Sequence, residues 1–169
     1  MTKSRRRFGI GAVVAAVVAT TITFTGPQGA SAQDQARRGW DHFTFGVPWE
    51  ESYGYSQGIR AGDEIYISGQ VSHDAAGNFV GAGDFEKQVR TSFDNLDKVL
   101  AHYKVPRSQI VSIKIFTKDL RQNFDTAARL HKEYVGKHRT TDTIVGVSEL
   151  SVPEQLVEIE AIVKVSPRS

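Results

Sequence analysis

With no cysteine among its 169 residues, the chain can perform chemistry only through oxygen and imidazole groups, because thiol nucleophiles, thiolate zinc sites and cysteine-held clusters are excluded. Two short alternating segments carry the informative pattern. Over 156–165, Val157, Ile159, Ala161, Val163 and Val165 fall on one face of a strand and Glu158 and Glu160 on the other. Over 64–71, Ile65, Ile67 and Val71 alternate in the same way with Glu64, Tyr66, Ser68 and Gln70. A carboxylate, hydroxyls and an amide thus gather on one side of a sheet. Open to water, they are ordinary solvated side chains. Covered by another subunit, they must be paired or serve a ligand, since burying an unpaired carboxylate is costly. Oligomerisation decides between the two.

Other constellations fail on spacing. His42, His73, His102, His131 and His138 show neither HExxH nor paired spacing, so they are expected on the surface or on helix faces, with no metal bound. No Gly-x-Ser-x-Gly elbow is present. The glycines from Gly77 to Gly83 lack the strand–loop–helix phosphate fingerprint. Glu158 and Glu160 as a glycosidase pair are discarded, because alternate residues on one strand imply no substrate cleft between them.

Local pattern gives the elements that must hold these groups. Segments 55–60 and 64–71 read as a hairpin about Ala61-Gly62-Asp63, and 74–83 as a loop rich in turn formers. From Asp84, a capping residue, Phe85, Val89, Phe93, Leu96, Val99, Leu100 and Tyr103 recur at helical spacing. Segment 110–117 alternates again. A second helix is expected over 124–134, with Phe124, Ala127, Ala128, His131 and Tyr134 on its apolar stripe and Gly136 as its stop. Strands over 143–147 and 156–165 close the order β-β-α-β-α-β-β. This is an α+β layer with two helices on one sheet face.

Composition fits one folded domain: 40% hydrophobic and 24% charged residues leave neither a disordered nor a fibrous chain plausible. The formal charge of +2 misleads, however. Residues 1–32 contain Lys3, Arg5, Arg6 and Arg7 and no acid, so the remaining 137 carry 17 basic against 19 acidic residues. A near-neutral remainder without Lys/Arg runs argues against nucleic-acid binding. The basic start, the Ala/Val-rich stretch 9–24 and the small residues Ala30-Ser31-Ala32 read as an export signal cleaved before Gln33. That apolar stretch is shorter than the roughly 20 residues of a bilayer span, so no membrane association is expected after signal removal. Ser4-Arg5-Arg6-Arg7-Phe8 is similar to a twin-arginine export motif, with Gly9 and Ile10 departing from it. Residues 33–46 are expected to form a polar arm without regular structure, and 47–169 the domain.

Within 48–163 the residues resemble the RidA/YjgF family of reactive-intermediate deaminases. Tyr55-Ser56-Gln57-Gly58, Ile67-Ser68-Gly69-Gln70, Asn95-Leu96, Lys118-Asp119-Leu120 and Val157-Glu158-Ile159-Glu160-Ala161-Ile162 match its motifs in family order and spacing. The resemblance implies a chorismate-mutase-like subunit assembled into a homotrimer, with ligand clefts between subunits. It also implies cofactor-free hydrolysis of enamines or imines, such as 2-aminoacrylate, to a carbonyl compound and ammonia.

Carried over residue by residue, Glu158 would hold water or shuttle a proton. Gly69 would let a ligand approach and offer its N–H, Ser68 and Tyr55 would orient the ligand, and the Gln70 amide joins them as a binding candidate. Three departures stand against the match. Deaminase-type members place an arginine on the strand before the Pro-containing turn to grip the substrate carboxylate, and here that position holds Asp142 or a neighbour, Thr141 or Thr143, with Arg139 three residues upstream. Ala128 stands where the family often carries Asn, and 148–152 is longer than in typical deaminase members. Two readings follow: an exported hydrolase acting on an imine without the usual carboxylate, or a trimeric binding or scavenging module that lost turnover.

Overall fold

The computed structural model describes residues 39–165, so the export segment and the first residues of the arm lie outside the described residues. The elements run β1 (Asp41–Phe43), α1 (Pro48–Tyr53), β2 (Gly58–Ala61), β3 (Glu64–Gln70), α2 (Phe85–Tyr103), β4 (Ile110–Thr117), α3 (Leu120–Val135), β5 (Thr141–Gly146) and β6 (Val157–Lys164). They build one sheet in the order β1-β2-β3-β6-β4-β5, antiparallel except for the β4–β5 pair. The fold is the expected α+β layer.

α2 forms where the apolar period demands it. Asp84 caps it, accepting from the Lys87 N–H at 3.0 Å, and Lys104 ends it in the left-handed region at φ 55°. Its buried stripe, Val89, Phe93, Leu96, Val99 and Leu100, packs with α3 on the sheet face made by Ile65, Ile67, Ile113, Ile115, Ile159 and Val163. Phe93 stacks on Tyr134 at 4.1 Å between ring centroids, locking the two helices together. On their outer side Glu86, Arg90, Arg129 and Glu133 form a closed ring of four ion pairs. Such exposed pairs are individually worth little.

Three expectations are corrected. The arm is not without regular structure: Asp41–Phe43 pairs antiparallel with β2 as an edge strand. Phe43 stacks on His102 of α2, so the short segment is held both by its backbone and by a ring. The second helix starts at Leu120, four residues early, and its buried positions are Asn123, Ala127, Leu130 and Tyr134. That rotates Phe124 off the stripe and leaves it 47% exposed.

The third correction concerns β3. Ile67 pairs with Ala161, but the next pair is Gln70 with Ile159. Three residues on β3 thus span two on β6, a bulge that leaves Ser68 and Gly69 without register partners. Gln70 is turned onto the helix side, fully buried, and donates to Gln57 Oε1 at 2.8 Å and to the Ser68 carbonyl at 2.9 Å. It does not join Ser68 on the bare face.

Candidate functional site

The bulge opens a cavity of about 530 Å³ beside the β3–β6 crossing. Tyr55, Gln57, Ser68, Gly69 and Glu158 line one side of it, Trp49 and Tyr53 from α1 a second, and the loop residues His73 and Phe79 a third. Three of the sequence-predicted site residues, Tyr55, Ser68 and Glu158, therefore meet around Gly69.

Gly69 is dictated by space. A Cβ built there would lie 1.8 Å from Glu158 Oε1 and 2.5 Å from its carboxyl carbon, so only a glycine lets the carboxylate cross β3. The Ser68 hydroxyl donates to the Ser56 carbonyl at 2.7 Å, and its N–H donates to the Gln57 carbonyl at 3.0 Å. With its proton engaged, Ser68 can only accept from a ligand.

Glu158 is the carboxylate of this arrangement. Burial pushes its carboxyl above the ordinary value of 4.5, against a lowering by the Gln155 hydrogen bond and with a smaller push from Glu160. Gln155 donates from Nε2 to Glu158 Oε2 at 3.2 Å and to the Val157 carbonyl at 3.3 Å. Its own oxygen accepts from Ser151. Gln155 is held in turn by Gln88 of α2, which donates to the Glu154 carbonyl at 3.0 Å and accepts from the Leu156 N–H at 2.8 Å. A desolvated carboxylate oriented by an amide is a group suited to take up and give back a proton.

Tyr55 is also shifted. Desolvation raises its phenol, hydrogen bonding to Trp49 and Gln57 opposes that, and the negative charges of Glu50 and Glu158 add to the rise. It stays a neutral donor at physiological pH.

α1 is positioned from inside. Glu50, 4% exposed, accepts from the backbone N–H groups of Phe45, Gly46 and Val47 at 2.8 to 3.0 Å. This cradle folds the incoming chain around the helix start and sets Trp49 and Tyr53 over the cavity. Asn95 performs the matching task for the loop after β3, donating to the carbonyls of Val71 and His73 at 2.9 and 3.2 Å.

Asp142 and Arg139 are not brought to this cavity within the chain. Asp142 registers with Ile113 on the helix side of the sheet, its carboxylate 3.6 Å from His131 Nδ1. Burial raises its carboxyl, with the His131 charge opposing. Its neighbours Thr141 and Thr143, registered with Ser112 and Lys114, take the bare side instead. Arg139 is exposed between α3 and β5. Among the described residues no cluster of three His, Asp or Glu could hold a metal ion.

Sequence reasoning missed Gln155, Trp49, Tyr53 and Phe79. A signal for α1 was present in Pro48 followed by Glu50 and Glu51, proline at a first helical position with acids in the first turn. Gln155 gave none, because its role depends on a clamp from Gln88, distant in sequence.

A family model described as endoribonuclease L-PSP matches residues 49–165. A RutC family protein of Pyrococcus horikoshii is 30% identical over 108 residues, covering 64% of this chain and 84% of its own. A protein of Dermatophagoides farinae named 2-iminobutanoate/2-iminopropanoate deaminase is 28% identical over 109 residues, 64% of this chain and 84% of its own. Among solved structures, a Mycobacterium tuberculosis member of the YjgF/YER057c/UK114 family aligns with TM-score 0.67 at 25% identity, over 75% of this chain and 99% of its own. With the match running from α1 to the end of the described sheet, the chain belongs to the endoribonuclease L-PSP family, the YjgF/RidA group.

Proposed function

We propose that this protein hydrolyses a reactive enamine or imine to a carbonyl compound and ammonia without a cofactor. The observation that carries the reading is Glu158: a desolvated carboxylate, held by Gln155 and pressed against Gly69, at the wall of a cavity. Glu158 takes a proton from water as the oxygen adds to the imine carbon, and the C=N double bond becomes single. It returns that proton to the nitrogen. Glu158 next carries the hydroxyl proton to the same nitrogen, and the C–N bond breaks with ammonia as the leaving group while the carbonyl forms, so imine plus water gives carbonyl plus ammonia. Tyr55 orients the bound molecule by its hydroxyl, and Ser68 shapes the strand edge.

The working unit we propose is an exported homotrimer whose bare sheet faces meet. Tyr66 and Val111, 48% and 45% exposed on that side, support this, as do Val145 at the outer strand and the uncovered mouth of the cavity. The mature chain is expected to sediment as three copies, and a stable monomer at micromolar concentration contradicts the assembly.

The catalytic assignment is tested by ammonia release from freshly generated imines, comparing wild type with Glu158→Gln. A loss of about 100-fold or more is expected, the ordinary worth of a positioned acid–base group. Equal release by the two proteins refutes the role. Saturable binding with no turnover in the wild type assigns the cavity to capture instead.

A further inference from the structure

Resting on that reading, the cavity's own walls narrow the substrate. We infer that the substrate is an imine or iminium bearing an aromatic group and no carboxylate. Its recognition comes from the aromatic wall of α1 facing the Glu158 carboxylate.

Charge is the first ground. Among the described residues that line the cavity within one chain there is neither lysine nor arginine, and Glu158 is the carboxylate. His73 also faces in, its Nδ1 lying 2.7 Å from the Asp74 carbonyl oxygen. A substrate carboxylate would enter a desolvated crevice already holding a negative charge, with no lysine or arginine of the described chain to receive it. An iminium finds the opposite sign there, and π-faces beside it that also favour cations.

Shape is the second ground. Trp49, Tyr53, Tyr55 and Phe79 supply aromatic surface, and Val71 and Val152 aliphatic surface, around one volume. At about 530 Å³ that volume lies in the range of pockets that enclose ring-bearing ligands, and the smallest imino acids would leave most of it empty. The wall is fixed in advance. A Cβ at Gly77, whose φ is +86°, would sit 2.7 Å from two Trp49 ring carbons, so the indole is seated directly on that glycine. The His73 ring meets the same indole edge-on at 5.4 Å. A ring held this way offers a ready stacking surface with little entropy left to lose on binding.

The test is a matched pair of imines differing only in the carboxylate. The imine of phenylacetaldehyde is generated from 2-phenylethylamine by a flavin amine oxidase, and that of phenylpyruvate from phenylalanine by an amino-acid oxidase. The alanine-derived imine serves as a small acidic control. Protein-dependent ammonia release is expected to give a kcat/KM at least 10-fold higher for the neutral aromatic imine than for either acid. Trp49→Ala is expected to cost that substrate 10-fold or more, mainly in KM. Tyr53→Ser, at a residue 79% exposed on the rim, is expected to cost it about 3-fold without touching the core, which keeps the test sound if the tryptophan variant folds poorly.

Preference for either acid, abolished by Glu158→Gln, overturns this inference and leaves the hydrolase reading standing. Hydrolysis of none of the three above the buffer rate overturns both. Neutral aromatic turnover indifferent to both wall variants overturns the aromatic part.

Discussion

Glu158 and Glu160 stand on one face of one strand with a single residue between them, yet the regions around them differ in kind. At Glu160 the β4–β6 ladder is in register with Lys114 opposite, and the lysine reaches the carboxylate at 2.6 Å with both side chains well exposed. At Glu158 the neighbouring strand carries a bulge, the space across it is a glycine, and the side chain that hydrogen-bonds it among the described residues is an amide. Regular pairing gives a solvated ion pair, whereas one extra residue gives a desolvated carboxylate beside a cavity. The difference between the paired and the desolvated glutamate is made by the strands on either side, since β6 itself treats the two alike.

The contrast is broken most severely at the glycine. Gly69→Ala must displace the Glu158 carboxylate, and a misplacement of that order is expected to lower turnover about 100-fold. Circular dichroism checks that the sheet survives. An unchanged rate would mean that the close crossing has no catalytic use.

Gln155→Leu is expected to act next, through both rate and pH. It removes the hydrogen bond that holds the Glu158 carboxyl down, so the acidic limb of the kcat/KM profile should move to higher pH, with turnover at neutral pH falling about 10-fold. A limb that stays put would show that Gln155 is only structural.

Stability follows the same carboxylate, with opposite sign to an ion-paired one. Because the folded-state pKa of Glu158 is raised by burial, the folded protein binds the proton more tightly than the unfolded chain. Stability is therefore lost as pH rises from the ordinary carboxylate value through the raised one. Glu158→Gln should melt higher than wild type above that window and converge with it below about pH 4.5. Thermal melts across pH read this directly, and a lower melting temperature for the variant at neutral pH would contradict it. Smallest of all, Lys114→Met at the regular end should cost under about 1 kcal/mol in denaturant unfolding, the usual worth of an exposed pair.

How much of this was legible in the sequence follows from range of interaction. The α2 period, the β6 alternation and the Ala61-Gly62-Asp63 turn are local patterns, and the structure keeps them. Tyr55, Ser68, Gly69 and Glu158 were found on motif and alternation, and they do share one cavity. Gln70 was misplaced because alternation counts every residue, and a bulge adds one that nothing in Ser68-Gly69 announces. Phe124 was misplaced because the helix begins at Leu120 after an Asp119 held in the left-handed region at φ 52°, a start without the usual side-chain cap. Asp142 is a candidate ligand group only by its alignment to the position where deaminase-type members are expected to place an arginine. The parallel β4–β5 register turns it to the helices instead.

The crowding between the Gly69 Cα and the Glu158 carboxylate also reaches beyond catalysis. Positions 69 and 158 form one locus of selection: while the acid persists, no larger residue can drift into the strand opposite it. In a saturation library, substitutions at 69 should become tolerable only in backgrounds that have first shortened 158. A lineage that crossed that order of events would keep its shape and could not readily regain its chemistry, because each later side chain at 69 would bar the acid's return.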